Sequence, residues 1–527
     1  MAPLSLSTAL ATTTAITLRV GFLAISIFST YVILNEILRW SRRIKGLKGP
    51  PGLPLVGNLL DIRKSYTAEK YRAWSLEYGP VYQVQLGNST VVIVNAAEDA
   101  KTLFLNQTSS LISRPLFHIF HKLVSKDVAS IGTSPWNESC KNRRKAAAAS
   151  LNRPKVQSYE PKEELPNSAF QLILREAVDF IGDISIESRS GNGDVDFATA
   201  IQRLSLNTVM TLNYGIRITD TNSMKHDYAE IIEVENEISH LRSTSKNLAN
   251  YIPLLQLLER IFWRKSAAHA ADIGNRRLKY NAELLQRLKE AIAKGVDKPC
   301  IQGNILRDPE ATDLSTNELV SISLSMMAGA DSVQPTIGWI FLLLAHRKDI
   351  QKRAHEEFQS VAKDDYSLHE TKDVDYLLSI VKEALRFYSP LPLSMPREST
   401  APLNYQGTTI PKGTMVFLNA WACNHDPNLF PEPWEFRPER WQDRSLEKHA
   451  HQFAFGYGSR MCIATHLATR LIYTVLYHTI ANFEIQPALN ASVDEWDAVK
   501  GLKDPIALNA SPKGNKARFI DRRKGIN

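Results

Sequence analysis

The chain has 527 residues, of which 44% are hydrophobic and 22% charged, with 63 basic against 55 acidic side chains and a formal charge of +8. This composition supports a sizeable core and excludes a disordered chain. The four cysteines (Cys140, Cys300, Cys423 and Cys462) are widely spaced with no Cys-x-x-Cys pair, which speaks against a disulfide framework or a zinc site. Basic residues cluster only at Lys141–Lys145 and Lys513–Lys524 without a nucleic-acid motif, so they read as solvated faces, and nucleic acid is not an expected partner.

From Ala9 to Leu34 the sequence is apolar apart from Arg19, and Arg39, Arg42, Arg43, Lys45 and Lys48 follow it. A spanning helix needs ~20 apolar residues, and a basic flank stays in the cytosol. A cleaved signal peptide is the competing reading, but no clear cleavage site follows the apolar core. The expected organisation is a membrane anchor over residues 1–35, a basic and proline-rich hinge over 36–58, and one catalytic domain over 59–527. Prolines at Pro50, Pro51 and Pro54 forbid a helix and make the hinge a stiff spacer.

Val81–Leu86 and Thr90–Val94 flank Gly87-Asn88 and predict a hairpin. From Ala96 to Glu383 the pattern is mainly helical. His118 and His121 read as surface or packing residues, because no metal partner set accompanies them. In Met326–Pro335, within an apolar helical stretch, three features oppose a regular helix. Gly329 costs ~1 kcal/mol relative to alanine, Asp331 and Ser332 are polar, and Pro335 cannot donate to the carbonyl of Asp331. The helix is expected to open or kink near Asp331, leaving free carbonyls beside a groove. Glu383 and Arg386 share a helix face. Leu403–Trp421 reads as short strands around Gly407 and Gly413, and Leu502–Arg518 as returning strands.

The run Phe453–Ala464 passes through Gly456 and Gly458 and delivers Cys462, after which Leu467, Leu471, Ile472 and Val475 recur at helical spacing. A helix N-terminus favours a thiolate, glycines let the backbone approach a flat group, and Arg460 offers donors to a carboxylate. These features together suit a haem; a glycine turn before an inert buried cysteine is the bland alternative.

Phe455, Gly458, Arg460 and Cys462 fall in the register Phe-x-x-Gly-x-Arg-x-Cys, which resembles the haem-binding signature of the cytochrome P-450 family, with Ala464 in place of its last glycine. Ala328–Ser332 resembles the family's oxygen-activation motif, with Ser332 for threonine; Glu383-x-x-Arg386 and Phe436–Trp441 match two more family segments, in the family's order. The resemblance implies a mainly α fold with a small β region. It implies haem b ligated axially by Cys462, with Phe455 and Gly458 against the ring and Arg460 and Arg397 on its propionates. Trp136 stands evenly between a propionate donor and a packing residue. Cys140 occupies the position of a family basic residue, with Lys141 or Arg144 as the replacement. Asp331 and Ser332 would deliver protons; Glu383, Arg386 and Arg440 would form a structural triad; and the loop Leu111–Val124, with Ile506 or Leu508, would border the substrate pocket.

The implied activity is a monooxygenase of the endoplasmic reticulum membrane, facing the cytosol. It would use O₂ and electrons from an NADPH-cytochrome reductase, since no flavin or nicotinamide domain is visible. Gly303–Glu310, Leu324–Asp331 and Phe455–Cys462 resemble the fungal branch that hydroxylates small aromatics such as phenylacetate or cresols. An isomerase or dehydratase needing neither O₂ nor reductase is the alternative, and a tethered binding protein without haem is a further one.

Overall fold

The computed structural model describes residues 6–151, 171–189, 193–218, 222–309, 313–362, 372–443 and 452–522. Helix α1 spans Leu6–Ser41, past the expected anchor boundary at residue 35. Over Thr14–Ser41 it is the one described helix long and apolar enough to cross a membrane, and large side chains such as Phe22 and Leu23 are exposed along it. The proline-rich stretch that follows is docked rather than a free spacer. Gln83 receives the Ile44 N–H and donates to the Ile44 and Leu47 carbonyls, while Asn58 donates to Pro51 and accepts from the Gln85 N–H. Two amide side chains thus satisfy backbone groups just before and within the proline-rich stretch.

Strands β1 (Val81–Leu86) and β2 (Ser89–Val94) form the antiparallel hairpin, joined tightly at Gly87-Asn88. The helices that build the body are α2 (Glu138–Ser150), α3 (Gln171–Arg189), α4 (Phe197–Tyr214), α5 (Asn222–Arg242), α6 (Arg264–Ala293), α7 (Thr316–His346), α8 (Asp375–Tyr388) and α9 (Thr465–Asn482). The short β3 (Val195–Asp196) precedes α4, and β4 (Arg397–Glu398), β5 (Leu403–Tyr405), β6 (Thr408–Ile410) and β7 (Met415–Leu418) follow α8. The last strands are β8 (Phe483–Pro487) and β9 (Lys516–Asp521). One sheet has the order β1-β2-β7-β4, with β2 and β7 parallel; a second has the order β3-β9-β8; β5 and β6 form a hairpin.

The chain therefore shows the mainly helical fold with small sheets that the sequence implied. Two segments differ. Trp421 belongs to a short helix (Ala420–Asn424), and residues 502–515 form turns and bends tied by a single antiparallel bridge between Leu502 and Pro512, so only 516–518 of that stretch lie in a strand.

Helix α7 is the axis of the core. Its start is fixed by a capping box, in which Ser315 Oγ accepts the Glu318 N–H and Glu318 accepts the Ser315 N–H. From Leu319 to Ala345 it is buried on almost every side, as a central helix must be when apolar all round. Trp339 stacks on Tyr388 at 4.5 Å and donates its indole N–H to Ala510 at 2.7 Å. Fully burying one such large apolar side chain contributes ~1.5–3 kcal/mol.

The expected opening at Asp331 is not seen, since α7 runs unbroken through Pro335. The carbonyl of Asp331, which Pro335 cannot use, accepts instead from Asn509 Nδ2 at 3.2 Å. Ser332 Oγ turns back to the Gly329 carbonyl at 3.0 Å, and Thr336 Oγ1 donates to Ser332 at 3.2 Å. A distant side chain thus supplies the Asp331 carbonyl with the hydrogen bond that the proline removes.

Candidate active site

The cysteine loop is held by its own backbone. The Cys462 N–H donates to Phe455 at 3.0 Å, Met461 to Gly458 at 3.0 Å, and Gly456 to Phe453 at 2.9 Å. Gly458 has φ +71°, and a Cβ there would lie 2.2 Å from the Phe104 carbonyl, so glycine is required for packing within the protein. At Gly456 (φ +76°) a Cβ would meet nothing within 4 Å. Of the four cysteines only Cys462 is exposed.

Helix α9 begins at Thr465. The protein packed around the Cys462 sulfur pushes the thiol above its ordinary value although the side chain is open to solvent on one side, while the Ala464 N–H, Arg144 and Thr465 pull it down, in the direction expected of a helix N-terminus.

Four arginines converge nearby, and all their hydrogen bonds go to carbonyls. Arg460 donates to Ile112, Ile131 and Ser134; Arg397 to Leu111 and Tyr457; Arg114 to Met395 and Pro396; Arg144 to Met461 at 2.6 Å. None of the four makes an ion pair with a described carboxylate. The Nε atoms of Arg114 and Arg460 are buried without a hydrogen-bond partner. Burial, then Arg460 and Arg144, hold Arg397 below its ordinary pKa; burial, then Arg397, Arg460 and Arg144, do the same to Arg114. A guanidinium does not give up its proton at neutral pH, so the shifts express a repulsion that anions would relieve.

Arg144 lies one helical turn beyond Cys140 on α2, and it reaches the cysteine loop. Lys141, the other replacement considered, pairs with Glu138 on the exposed face. The cluster Lys141–Lys145 is therefore not uniformly solvated, since Arg143 is buried against Ser139, Ala129 and Ser321. Trp136 lies under the Arg460 guanidinium, 5.5 Å from ring centroid to Cζ, and its backbone N–H donates to Ser113.

On α7, a Cβ at Gly329 would meet nothing within 4 Å, so open space borders the helix face that Gly329 shares with Ser332, one turn on. Oδ2 of Asp331 is buried without a hydrogen-bond partner. Burial, then the nearby Glu235, push its carboxyl up to about 7, against the pull of Arg242 and Arg277. The carboxyl can thus hold or release a proton near neutral pH.

Glu383 is fully buried. It accepts from Arg386 at 2.8 and 2.9 Å, Arg440 Nε at 2.9 Å, Trp441 Nε1 at 2.9 Å and the Arg437 N–H at 2.9 Å. Arg386 and Arg440 spend their remaining donors on carbonyls of Asn424, Pro431, Glu432, Pro433 and Glu435, stitching that irregular segment to α8. Burial would raise the Glu383 carboxyl, but Arg386 and then Arg440 hold it below its usual range.

Phe117, Phe120, His121 and Leu508 line a cavity with Arg114, Arg242 and Met395. The two histidines are packing residues but not surface ones. His118 is buried against Glu259 at 2.9 Å, and His121 accepts the Phe117 N–H while facing the Thr133 carbonyl. The sequence reading missed Arg114 and Arg242. Arg114 carried a faint signal, as a cation before Pro115 at the start of the pocket loop; Arg242, at the end of α5, carried none.

The family model for cytochrome P450 matches residues 47–502, and the chain belongs to that family. It is accordingly an oxidoreductase of the monooxygenase type, and the family implies a haem with thiolate-ligated iron. The chain is 44% identical over 495 residues to 3-hydroxyphenylacetate 6-hydroxylase of Emericella nidulans, covering 93% of this chain and 92% of the relative. It is 41% identical over 490 residues to phenylacetate 2-hydroxylase of the same organism, covering 91% of each. A third relative, cytochrome P450 monooxygenase CYP3 of Mycosarcoma maydis, is 38% identical over 502 residues, covering 93% and 89%.

The residues present fit such a group. The open-sided sulfur, the open space at Gly456 and Gly329, and unpaired buried guanidinium donors match a flat dianion bound through a metal.

Proposed function

We propose that the chain is a membrane-anchored monooxygenase that hydroxylates a small aromatic compound, a phenol, cresol or aryl acid, in fungal secondary metabolism or aromatic catabolism. The observation that carries this reading is the group of arginines without a described carboxylate partner beside the open-sided Cys462 sulfur. The two Emericella relatives, named for hydroxylation of 3-hydroxyphenylacetate and phenylacetate, support this substrate class.

Cys462 would be the protein ligand to the iron in this reading; coordination to a metal deprotonates a thiol outright, overcoming the desolvation that raises it here. Arg460 and Arg397, together with Arg114 and Arg144, would hold the propionates, and Trp136 would back Arg460. Phe455 and Gly458 would shape the loop that receives the group. Bound there, haem b supplies O₂ binding and reductive O–O cleavage, with the thiolate raising electron density. Asp331 passes protons toward Ser332, whose oxygen keeps free lone pairs while its hydrogen is donated to Gly329. Glu383, Arg386 and Arg440 serve structure. Electrons come from a partner on the same membrane, an NADPH-cytochrome reductase. α1 anchors the chain as a single pass in the endoplasmic reticulum, with the catalytic body in the cytosol.

Asp331 also bears on the alternative reading. A carboxyl that can hold or release a proton near neutral pH, kept next to the Ser332 hydroxyl, is of use to O₂ chemistry and not to a dehydratase that needs no proton delivery to oxygen. The test is turnover of small aromatic acids and phenols by membranes carrying this chain and a reductase. Hydroxylated product should require both NADPH and O₂; product formed without either would sink the reading.

A further inference from the structure

Arg242 is the last residue of α5, and its guanidinium projects into the cavity beneath the pocket loop. Among the described residues it forms no ion pair, its Nε is buried with no hydrogen-bond partner, and its one side-chain polar contact is from Nη2 to the Met395 sulfur at 3.8 Å. Its charge lies 5.8 Å from the centre of the Phe120 ring. The nearest carboxylates do not satisfy it. Glu235 is taken in bidentate fashion by Arg277 at 2.7 Å and also bonded by Tyr280, while Asp331 attracts it only at a distance.

Nor does Arg242 belong to the propionate group. The charges that act on Arg114 are those of Arg397, Arg460 and Arg144, whereas those that act on Arg242 are Arg277, Asp331 and Glu235. Around it the walls are mostly apolar, with Phe117, Phe120, Pro396, Met395 and Leu508 beside the polar Arg114, His121, Thr133 and Thr244. An unpaired guanidinium in such a place is costly unless an anion completes it.

We infer that Arg242 is the specificity-determining anchor for a carboxylate on the substrate, so that the substrate is an aryl acid rather than a neutral phenol or cresol, its ring held between Phe120 and Leu508. This rests on the reading of the chain as a hydroxylase of small aromatics and chooses within it. A guanidinium matches a carboxylate with two parallel donors, which a neutral phenol cannot use.

The experiment is a substrate spin-shift titration of the full-length haem protein with phenylacetate and with its neutral isostere phenylacetamide, plus p-cresol as an unrelated neutral aromatic. In wild type, phenylacetate should bind at least tenfold more tightly than phenylacetamide. Arg242→Met should weaken phenylacetate roughly 10–100-fold, the loss expected for a hydrogen-bonded charge partner, and change phenylacetamide and p-cresol less than threefold. Arg242→Lys should restore part of the affinity. The reduced carbon-monoxide spectrum of each variant reports whether haem is loaded; should the variants lose haem, the wild-type ratio of acid to amide decides alone.

Equal affinity for acid and amide in wild type would overturn the inference. So would a variant with slower turnover and unchanged acid affinity, which would assign Arg242 to positioning Asp331. Tight binding of p-cresol alone would overturn it while leaving the aromatic hydroxylase standing, whereas binding of no aromatic at all would remove both.

Discussion

Arg386 and Arg440 meet one carboxylate, Glu383, and every polar atom of that carboxylate is engaged. Arg114, Arg144, Arg397 and Arg460 are packed together a short way off and meet only carbonyls, with two Nε atoms left over. Both are arginine clusters removed from water. The first is closed within the protein, and its charges are balanced. The second repels itself and is balanced only when something anionic enters. A buried charge with a partner reads as structure, and a buried charge without one reads as a site.

The largest effect should come from breaking the closed cluster. Glu383→Ala leaves two buried guanidinium groups without a counter-charge and should cost ~3–5 kcal/mol, read as a lowered denaturation midpoint and loss of haem-loaded protein. The pH dependence has a definite sign. Because the folded Glu383 carboxyl lies below its unfolded value, its stabilisation is present above the usual glutamate range and is lost as pH falls through the folded value. Acid unfolding of wild type should show that loss.

Arg144→Ala tests the open cluster. Losing one charged donor should weaken haem retention by roughly 10–100-fold with the unfolding midpoint of the haem-free chain little changed, as measured by transfer of haem to a scavenger protein. If haem retention is unaffected, Arg144 serves only to tie α2 to Met461.

Asp331→Asn should act on turnover and stability in opposite directions. Turnover should fall roughly 100-fold or more, and a pH-rate limb near 7 should vanish. The folded carboxyl holds its proton more tightly than the unfolded one, so its stability cost grows as pH rises from about 4 to about 7. The variant should therefore gain roughly 1–3 kcal/mol at pH 8 and nothing at pH 3. The smallest effect belongs to Ser332→Thr. The added methyl restricts the rotamer, and the fraction of NADPH that ends in hydroxylated product should rise by less than about threefold.

Much of this was legible beforehand. The Cys462 loop, the Glu383–Arg386 spacing, the β1–β2 hairpin and the long apolar α7 are local patterns, set by neighbours within a few residues. What escaped depends on partners distant in the chain. Pro335 does not break α7 because Asn509 supplies the missing hydrogen bond, and nothing near Pro335 announces Asn509. The stretch after α1 is clamped by Gln83 at Ile44 and Leu47 and by Asn58 at Pro51, partners that its own sequence does not announce. The choice between Lys141 and Arg144 turned on which face of α2 meets Met461, and Arg242 became visible only once the absence of a partner could be seen in three dimensions.

The central claim, that Cys462 holds the iron of a haem, is tested most directly by a reduced-plus-carbon-monoxide difference spectrum of membranes carrying wild type and Cys462→Ala. The account predicts a Soret band shifted far to the red in wild type and absent from the variant. Folded, haem-loaded wild type without that band, or a variant that keeps it, would contradict the account.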